Sequence, residues 1–275
     1  MVNYHTHTHF CDGSDRPSEF ASRAIAAGFS ELGFSGHAPV PFNNGFAIAE
    51  EQLSAYCEEI LALKSDFGHV LKIWLGLEID YIPGVTKSFG YFRQRCNLDY
   101  VIGSVHLVKP AGSNDLWFID GPEKKTYDDG LTALFGGDIR LAVTTYFRQL
   151  NEMITNQRPD IVGHADKIKM HNAGRYFTEA EPWYQALIDE TLALIKESGS
   201  IVEVNSRGLY KKRSPDFFPG ETILRKMKLL NIPLTISSDA HRPEELSLGL
   251  SEARQLVESL GFRQAPIHGF IKGFV

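Results

Sequence analysis

Six of the ten histidines in this 275-residue chain fall at the ends of short apolar runs. The first run is Asn3-Tyr4-His5-Thr6-His7, and the next are Leu32 to His37 and Ile73 to Glu78. Val101 to His106, Ile161 to His164 and Leu234 to Ser238-Asp239-Ala240-His241 follow. Each run reads as a buried strand that stops on a metal-ligand residue type. Parallel α/β folds gather their active sites at the carboxyl ends of strands. Six such strands aim their His, Glu and Asp side chains into one bowl. The chemistry expected there is a multinuclear metal site that performs hydrolysis.

The residues differ in how much they say singly. His5 and His7 sit two apart on a strand and so face one side. His9 continues the alternation where the chain turns, and reads as a wall residue. Asp12 stands in a Cys11-Asp12-Gly13 turn, which turn chemistry alone explains, but its place beside the two histidines makes it a candidate ligand. Asp15 reads as a helix cap before Pro17. A carboxylate at Glu78 is costly on an apolar strand unless paired or metal-bound. Unlike His, Glu can bridge two ions; Asp80 follows on the same face and could fill either role, a structural ion pair or a metal ligand. His37, His106 and His164 each end a strand, and Asp239-Ala240-His241 repeats the two-apart spacing with a carboxylate added. Such ligands without thiolate favour Zn²⁺, Mn²⁺ or Fe²⁺. Nine candidates exceed one tetrahedral ion and suit two or three ions with shared bridges.

Helical patterns separate these runs: Pro17 to Ala27, Glu50 to Phe67, Asp138 to Asn156, Pro182 to Ser198, Pro219 to Leu229 and Glu244 to Leu260. With Ile201 to Asn205 the strong strands number seven. Strict alternation implies right-handed crossovers and a parallel sheet. Ligands from the first, middle and last strands meet more easily in a closed barrel than in an open sheet. The fold class expected is therefore α/β, one barrel domain over residues 1–275. Lys109 to Asp138 is the least regular stretch and a candidate lid or substrate loop.

A 43% apolar content supplies an ordinary core. The net charge of −6 argues against a general nucleic-acid surface. Cys11, Cys57 and Cys96 form no disulfide framework, so a reducing cytoplasm is expected. No signal peptide and no membrane-spanning run are visible. Oligomeric state is not legible.

Taken in order, these residues resemble the PHP (polymerase and histidinol phosphatase) superfamily over essentially the whole chain. The marks are His5-Thr6-His7-Thr8 with Cys11-Asp12-Gly13, Gly36-His37, Gly76-Leu77-Glu78, Gly103-Ser104-Val105-His106, Gly163-His164-Ala165-Asp166, Glu203-Val204-Asn205 and Ser238-Asp239-Ala240-His241. The resemblance implies a distorted (β/α)7 TIM-like barrel with three divalent ions at the C-terminal ends of its strands. It implies His5, His7, Glu78 and Asp239 as ligands of the first ion. It implies Glu78, His106 and His164 for the second, and Asp12, His37 and His241 for the third. Many relatives carry Asp where this chain has Asn3, which implies a weaker orienting partner but no lost ligand.

Within the superfamily, the length and the Glu203-Val204-Asn205-Ser206-Arg207 run look most like the histidinol-phosphate phosphatases of histidine biosynthesis. The expected substrate is the small phosphomonoester L-histidinol phosphate. A metal-bridged hydroxide would attack phosphorus in line with the leaving alkoxide, with Glu78, Asp239 and His241 as the catalytic residues. Arg207 is the best phosphate clamp, because guanidinium matches phosphate in a bidentate way. Lys167 and Lys169, after the His164 strand, are weaker substrate-binding candidates. Trp117, Phe118 and Tyr210 could meet the substrate imidazole, although core packing explains them equally. Three rivals stay open: a superfamily phosphoesterase acting on a nucleotide or another small ester, a metal-dependent amidohydrolase on a similar barrel, and a non-catalytic binding module.

Overall fold

In the computed structural model, residues 1–269 and 271–275 are described. The elements in chain order are β1 (Val2–Asn3), α1 (Pro17–Ala26), β2 (Glu31–Phe34), α2 (Leu53–Phe67), β3 (Lys72–Asp80), α3 (Phe89–Cys96) and β4 (Tyr100–Ser104). Next come β5 (Leu107–Val108), β6 (Trp117–Phe118), α4 (Lys124–Phe135), α5 (Ile139–Gln157), β7 (Ile161–Val162), α6 (Pro182–Ser198) and β8 (Ile201–Asn205). The chain ends with α7 (Arg207–Tyr210), α8 (Glu221–Leu229), β9 (Leu234–Ser237), α9 (Leu250–Ser259), β10 (Gln264–His268) and β11 (Ile271–Phe274).

Among the described residues, one sheet runs in the order β1-β2-β3-β4-β7-β8-β9-β11-β10. Its first seven strands are parallel neighbours in chain order, as right-handed crossovers demand. Beyond the strand ends the circle closes. Thr6 bridges Ala240 in parallel, and the His7 N–H donates to the Ala240 carbonyl at 2.8 Å. The seven parallel strands curl into the distorted barrel that the resemblance implies, with β11 and β10 added beyond β9.

Period-two patterning sorts the side chains. On β3, Ile73, Leu75, Leu77 and Ile79 join the large outer core under the helices. Trp74 faces the other way and packs on a small interior cluster of Tyr4, Tyr100, Ile102, Ile161, Ile201 and Ile271. Gly76 follows on that inner face because the Tyr100 ring fills its place; a Cβ there would stand 2.5 Å from the Tyr100 Cζ. Glu78 and Asp80 come next. The barrel is therefore plugged by aromatic and aliphatic side chains at one end and lined by ligand types at the other.

Several elements lie outside the sequence reading. The antiparallel pair β10–β11 attaches to β9 by Phe274 and Leu234, and helix α3 follows β3. The stretch from Lys109 to Asp138 is more ordered than expected, since it holds β6 and the three-turn helix α4. Gly130 sits inside α4 where the Trp117 ring leaves no room for a side chain: a Cβ would meet Trp117 Cδ1 at 2.3 Å. The helix predicted to start at Pro219 begins at Glu221, and the last one shortens to Leu250–Ser259 after a separate 3-10 turn. Asp15 does not cap α1. Pro17 occupies the first helical position, which makes Arg16 the N-cap; the Asp15 carboxylate instead accepts from the Ser14 hydroxyl.

Candidate metal centre

Glu78 stands at the middle of the site, 1% exposed, with its two oxygens divided. Oε2 lies 3.1 Å from His5 Nε2, 3.4 Å from His7 Nε2 and 3.3 Å from His37 Nδ1. Oε1 lies 2.9 Å from His164 Nε2 and 3.5 Å from His106 Nε2, and accepts the Ser104 hydroxyl at 2.6 Å. Asp239 faces the first group, with Oδ1 3.3 Å from His7 Nε2 and 3.7 Å from His5 Nε2. To one side Asp12 places Oδ2 3.1 Å from His241 Nε2 and Oδ1 4.0 Å from His37 Nε2. His7 Nδ1 is 3.5 Å from the same Asp12 oxygen. All nine residues that sequence and resemblance single out thus meet in one place. They divide into His5-His7-Asp239, Glu78-His106-His164 and His7-Asp12-His37-His241, each with donor atoms within 4.8 Å of one another.

The backbone aims these groups at some cost. His164 has φ 23° and Asp239 φ 53°, a left-handed region that costs a non-glycine residue about 1–3 kcal/mol.

A further layer of acceptors fixes the imidazoles. Glu203 Oε1 lies 2.6 Å from His5 Nδ1, while its Oε2 accepts from the His164 N–H and from Asn205 Nδ2, both at 3.1 Å. Asp80 does the same for His106, 3.0 Å from Nδ1, and takes the His106 N–H at 2.8 Å. Asn205 Nδ2 also donates to Asp239 Oδ2 at 3.1 Å. With Nδ1–H held by carboxylate, Nε2 of His5 and His106 is left to face the centre. Asn3 is buried and orients the first strand well as an amide. Its Oδ1 accepts the His5 N–H at 3.1 Å and its Nδ2 donates to Ser238 Oγ at 2.7 Å.

The carboxylates and imidazoles shift one another strongly. Burial works to lower the His5 pKa, but Glu203, Glu78 and Asp239 outweigh it and hold it at about 10. Burial is likewise overcome at His106, where Asp80, Asp120 and Glu78 raise the pKa to about 10. His37 is pushed down to about 4 by burial, with His7 and His106 adding repulsion that Glu78 only partly offsets. Burial would raise the carboxyls of Glu78, Asp239 and Asp12, yet the surrounding histidines keep all three below the ordinary range. Protonated histidines, with Arg207 beside Asp239, offset the carboxylates of this core. Among the described residues, His7 Nε2, His37 Nδ1 and Asp239 Oδ1 are buried without a hydrogen bond of good geometry. Unpaired buried donors and acceptors that converge in this way, with no thiolate, fit divalent metal ions.

The centre forms the floor of a cavity of about 540 Å³. Arg207 and Lys167 both line it, as expected of substrate-binding residues. Arg207 Nη1 donates to the Asp239 carbonyl at 2.8 Å and lies 3.3 Å from Glu245 Oε2. Lys167 Nζ is 3.6 Å from Asp120 Oδ2. Other expectations fall away. Lys169 is tied to Asp166 at 2.8 Å and to Glu179 at 3.3 Å, outside the cavity lining. Trp117 is core, its Nε1 donating to the Tyr127 carbonyl. Tyr210 stands behind Arg207 and donates to the Ser238 carbonyl at 3.0 Å. His9 is exposed, its ring against Phe10. Phe118 does line the cavity, joined by Phe46, Asp120, Arg213 and Arg242 from loops in which the sequence pattern carries no signal.

Comparison with known proteins agrees with this geometry. The chain is 28% identical over 266 residues to the probable histidinol-phosphatase of Deinococcus radiodurans, covering 96% of this chain and 95% of that protein. It is 27% identical to the histidinol-phosphatase of Bacillus subtilis, over 86% of this chain and 92% of the relative. A solved structure from Listeria monocytogenes superposes with a TM-score of 0.79 at 23% identity, covering 92% of this chain and 99% of the other. The histidinol phosphate phosphatase of Lactococcus lactis, solved with zinc, L-histidinol and phosphate, superposes with a TM-score of 0.66 at 22% identity, covering 95% and 94%. Residues 3–207, which carry seven of the nine converging groups, namely His5, His7, Asp12, His37, Glu78, His106 and His164, match the PHP domain, and the protein belongs to that family.

Proposed function

We propose that the protein is a metal-dependent phosphomonoesterase that converts L-histidinol phosphate to L-histidinol and phosphate. The observation that carries this reading is the division of Glu78, one oxygen toward His5, His7 and His37 and the other toward His106 and His164, on the floor of a cavity that Arg207 and Lys167 line. A carboxylate placed to bridge two ions, beneath a cavity lined by Arg207 and Lys167, suits phosphoryl transfer to water. The relatives named above and the zinc, histidinol and phosphate of the Lactococcus lactis complex support the choice of substrate.

In this reading three divalent ions are held, by His5, His7, Glu78 and Asp239, by Glu78, His106 and His164, and by Asp12, His37 and His241. Ions held there would supply hydroxide at neutral pH and offset the charge of the phosphoryl oxygens. The chain does the rest. Glu203 and Asp80 keep His5 and His106 in the tautomer whose Nε2 faces inward. Arg207 offers planar N–H groups to the phosphate and, through its bond to the Asp239 carbonyl, couples phosphate binding to the last strand. Lys167 adds a charge from the loop after β7. Residues 1–275 act as one domain. Among the described residues no helix is long and apolar enough to cross a membrane, and we place the enzyme in the cytoplasm, within histidine biosynthesis.

The test is phosphate release from L-histidinol phosphate beside a panel of nucleotides and sugar phosphates. The expected kcat/KM for L-histidinol phosphate is on the order of 10⁴ M⁻¹s⁻¹ or more, well above the rest. Equal slow rates on all, or a preference for nucleotides, would remove the histidinol assignment.

A further inference from the structure

The walls of the cavity differ by side, and the difference follows strand order. Loops after β8 and β9 supply Arg207, Lys211, Arg213 and Arg242, four cations against one lining carboxylate beyond the metal-ligand set, Glu245, which pairs with Arg207 and Lys211. Loops after β2 and β4 supply Phe46, Phe118 and Asp120. Lys167, from the loop after β7, stands between the two. The Phe46 and Phe118 rings lie 6.2 Å apart at 33°, and Phe46 meets His37 edge-on at 5.4 Å. They make a continuous aromatic wall that rises from the histidine floor. Asp120 ends this wall. Its side chain is 11% exposed, with Oδ2 3.6 Å from Lys167 Nζ and 3.9 Å from His106 Nε2. Its Oδ1 is buried and, among the described residues, has no hydrogen-bond partner.

A buried carboxylate oxygen without a donor is costly, so a site that keeps one gains when a ligand supplies an N–H. The basic side suits phosphate. The aromatic side with Asp120 suits a planar ring and a cationic nitrogen. We infer that Phe46, Phe118 and Asp120 form the subsite for the alcohol half of the substrate, and that Asp120 selects leaving groups that carry a protonated amine or imidazole. This rests on the phosphomonoesterase reading above and assigns to it a polarity: phosphate toward β7–β9, leaving group toward β2–β4. Asp120 is a specificity residue in this account, not a metal ligand.

The experiment is product inhibition of the metal-loaded enzyme, with L-histidinol and inorganic phosphate as separate inhibitors, in wild type and in Asp120→Asn and Asp120→Ala. Hydrolysis of p-nitrophenyl phosphate, whose leaving group has no cationic nitrogen, reports the reaction. Both variants are expected to weaken inhibition by L-histidinol about 10- to 100-fold, the size of a charge-assisted hydrogen bond. Inhibition by phosphate and metal content should change less than about threefold. Equal loss for both inhibitors, or loss of bound metal, would overturn the inference and place Asp120 in the metal or phosphate machinery. Unchanged inhibition by L-histidinol would also overturn it. If wild type neither hydrolyses L-histidinol phosphate nor is inhibited by L-histidinol while cleaving p-nitrophenyl phosphate, the substrate assignment fails first. A Phe118→Leu variant with the same selective loss separates a shaped subsite from a local disturbance at Asp120.

Discussion

Glu203 touches no candidate ion, yet its replacement by glutamine should cripple the centre. Oε1 holds His5 Nδ1 at 2.6 Å, and Oε2 accepts two donors, the His164 N–H and Asn205 Nδ2, each at 3.1 Å. The residue is fully buried, so water cannot repair a mismatch. In Glu203→Gln one oxygen becomes NH₂. Turned toward His164 and Asn205, that group sets donor against two donors. Turned toward His5, it demands a lone pair at Nδ1 and moves the proton to Nε2, the atom 3.1 Å from Glu78 that would bind metal. Either arrangement loses a buried charge-assisted hydrogen bond, about 1.5–3 kcal/mol. That corresponds to about a 10- to 100-fold loss in metal affinity, the usual range for a partner behind a metal-bound histidine. Chelator competition measures the affinity, and thermal denaturation of the metal-free protein checks the fold. Wild-type affinity and full activity in Glu203→Gln would refute the claim that this carboxylate sets the His5 tautomer.

Three more outcomes follow from the geometry. Gly76→Ala drives a Cβ to 2.5 Å from the Tyr100 ring inside the barrel plug, and should cost about 1–3 kcal/mol in urea denaturation; a loss under 0.5 kcal/mol would mean that the plug is loosely packed. Arg207→Lys should raise KM for L-histidinol phosphate about tenfold or more, since a point charge does not reproduce the guanidinium fork; an unchanged KM would remove Arg207 from phosphate binding. In the metal-free protein, His5 and His106 sit at about 10, above the reference 6.5, so their stabilisation is complete below pH 6.5 and fades as pH rises toward 10. His37, lowered to about 4, acts oppositely and withdraws stability as pH falls from 6.5 to 4. The Tm of metal-free protein should therefore peak near pH 6–7 and decline on both sides, while metal removes the alkaline decline by replacing the protons. A Tm that climbs steadily from pH 7 to 10 without metal would contradict the charge balance described here.

The inward-facing chemistry was legible because strand ends, ligand types and period-two alternation all point one way. His5, His7, Glu78 and Asp239 converge as their spacing implies, and the closed barrel follows from ligands on the first and last strands. What lay beyond reach depends on pairing between strands. Glu203 could be recognised as inward-facing from Ile201 and Asn205, but not as the partner of His5, 198 residues away. Asp80 offered two roles until β3 and β4 were in register and placed it behind His106. The place of Gly130 inside α4 has no local signal, since the Trp117 ring packed against it comes from a different element. Asp120 gave no signal, since a loop carboxylate after a Trp-Phe strand looks like any solvated acid.

The most direct test of the account is to strip the protein with chelator, reload it with zinc, manganese or iron in counted equivalents, and follow phosphate release from L-histidinol phosphate against metal bound per chain. Activity that is absent in the stripped protein and rises with bound metal to a plateau near three ions per chain is the predicted result. Hydrolysis by the stripped protein, or none by the fully loaded one, would contradict it.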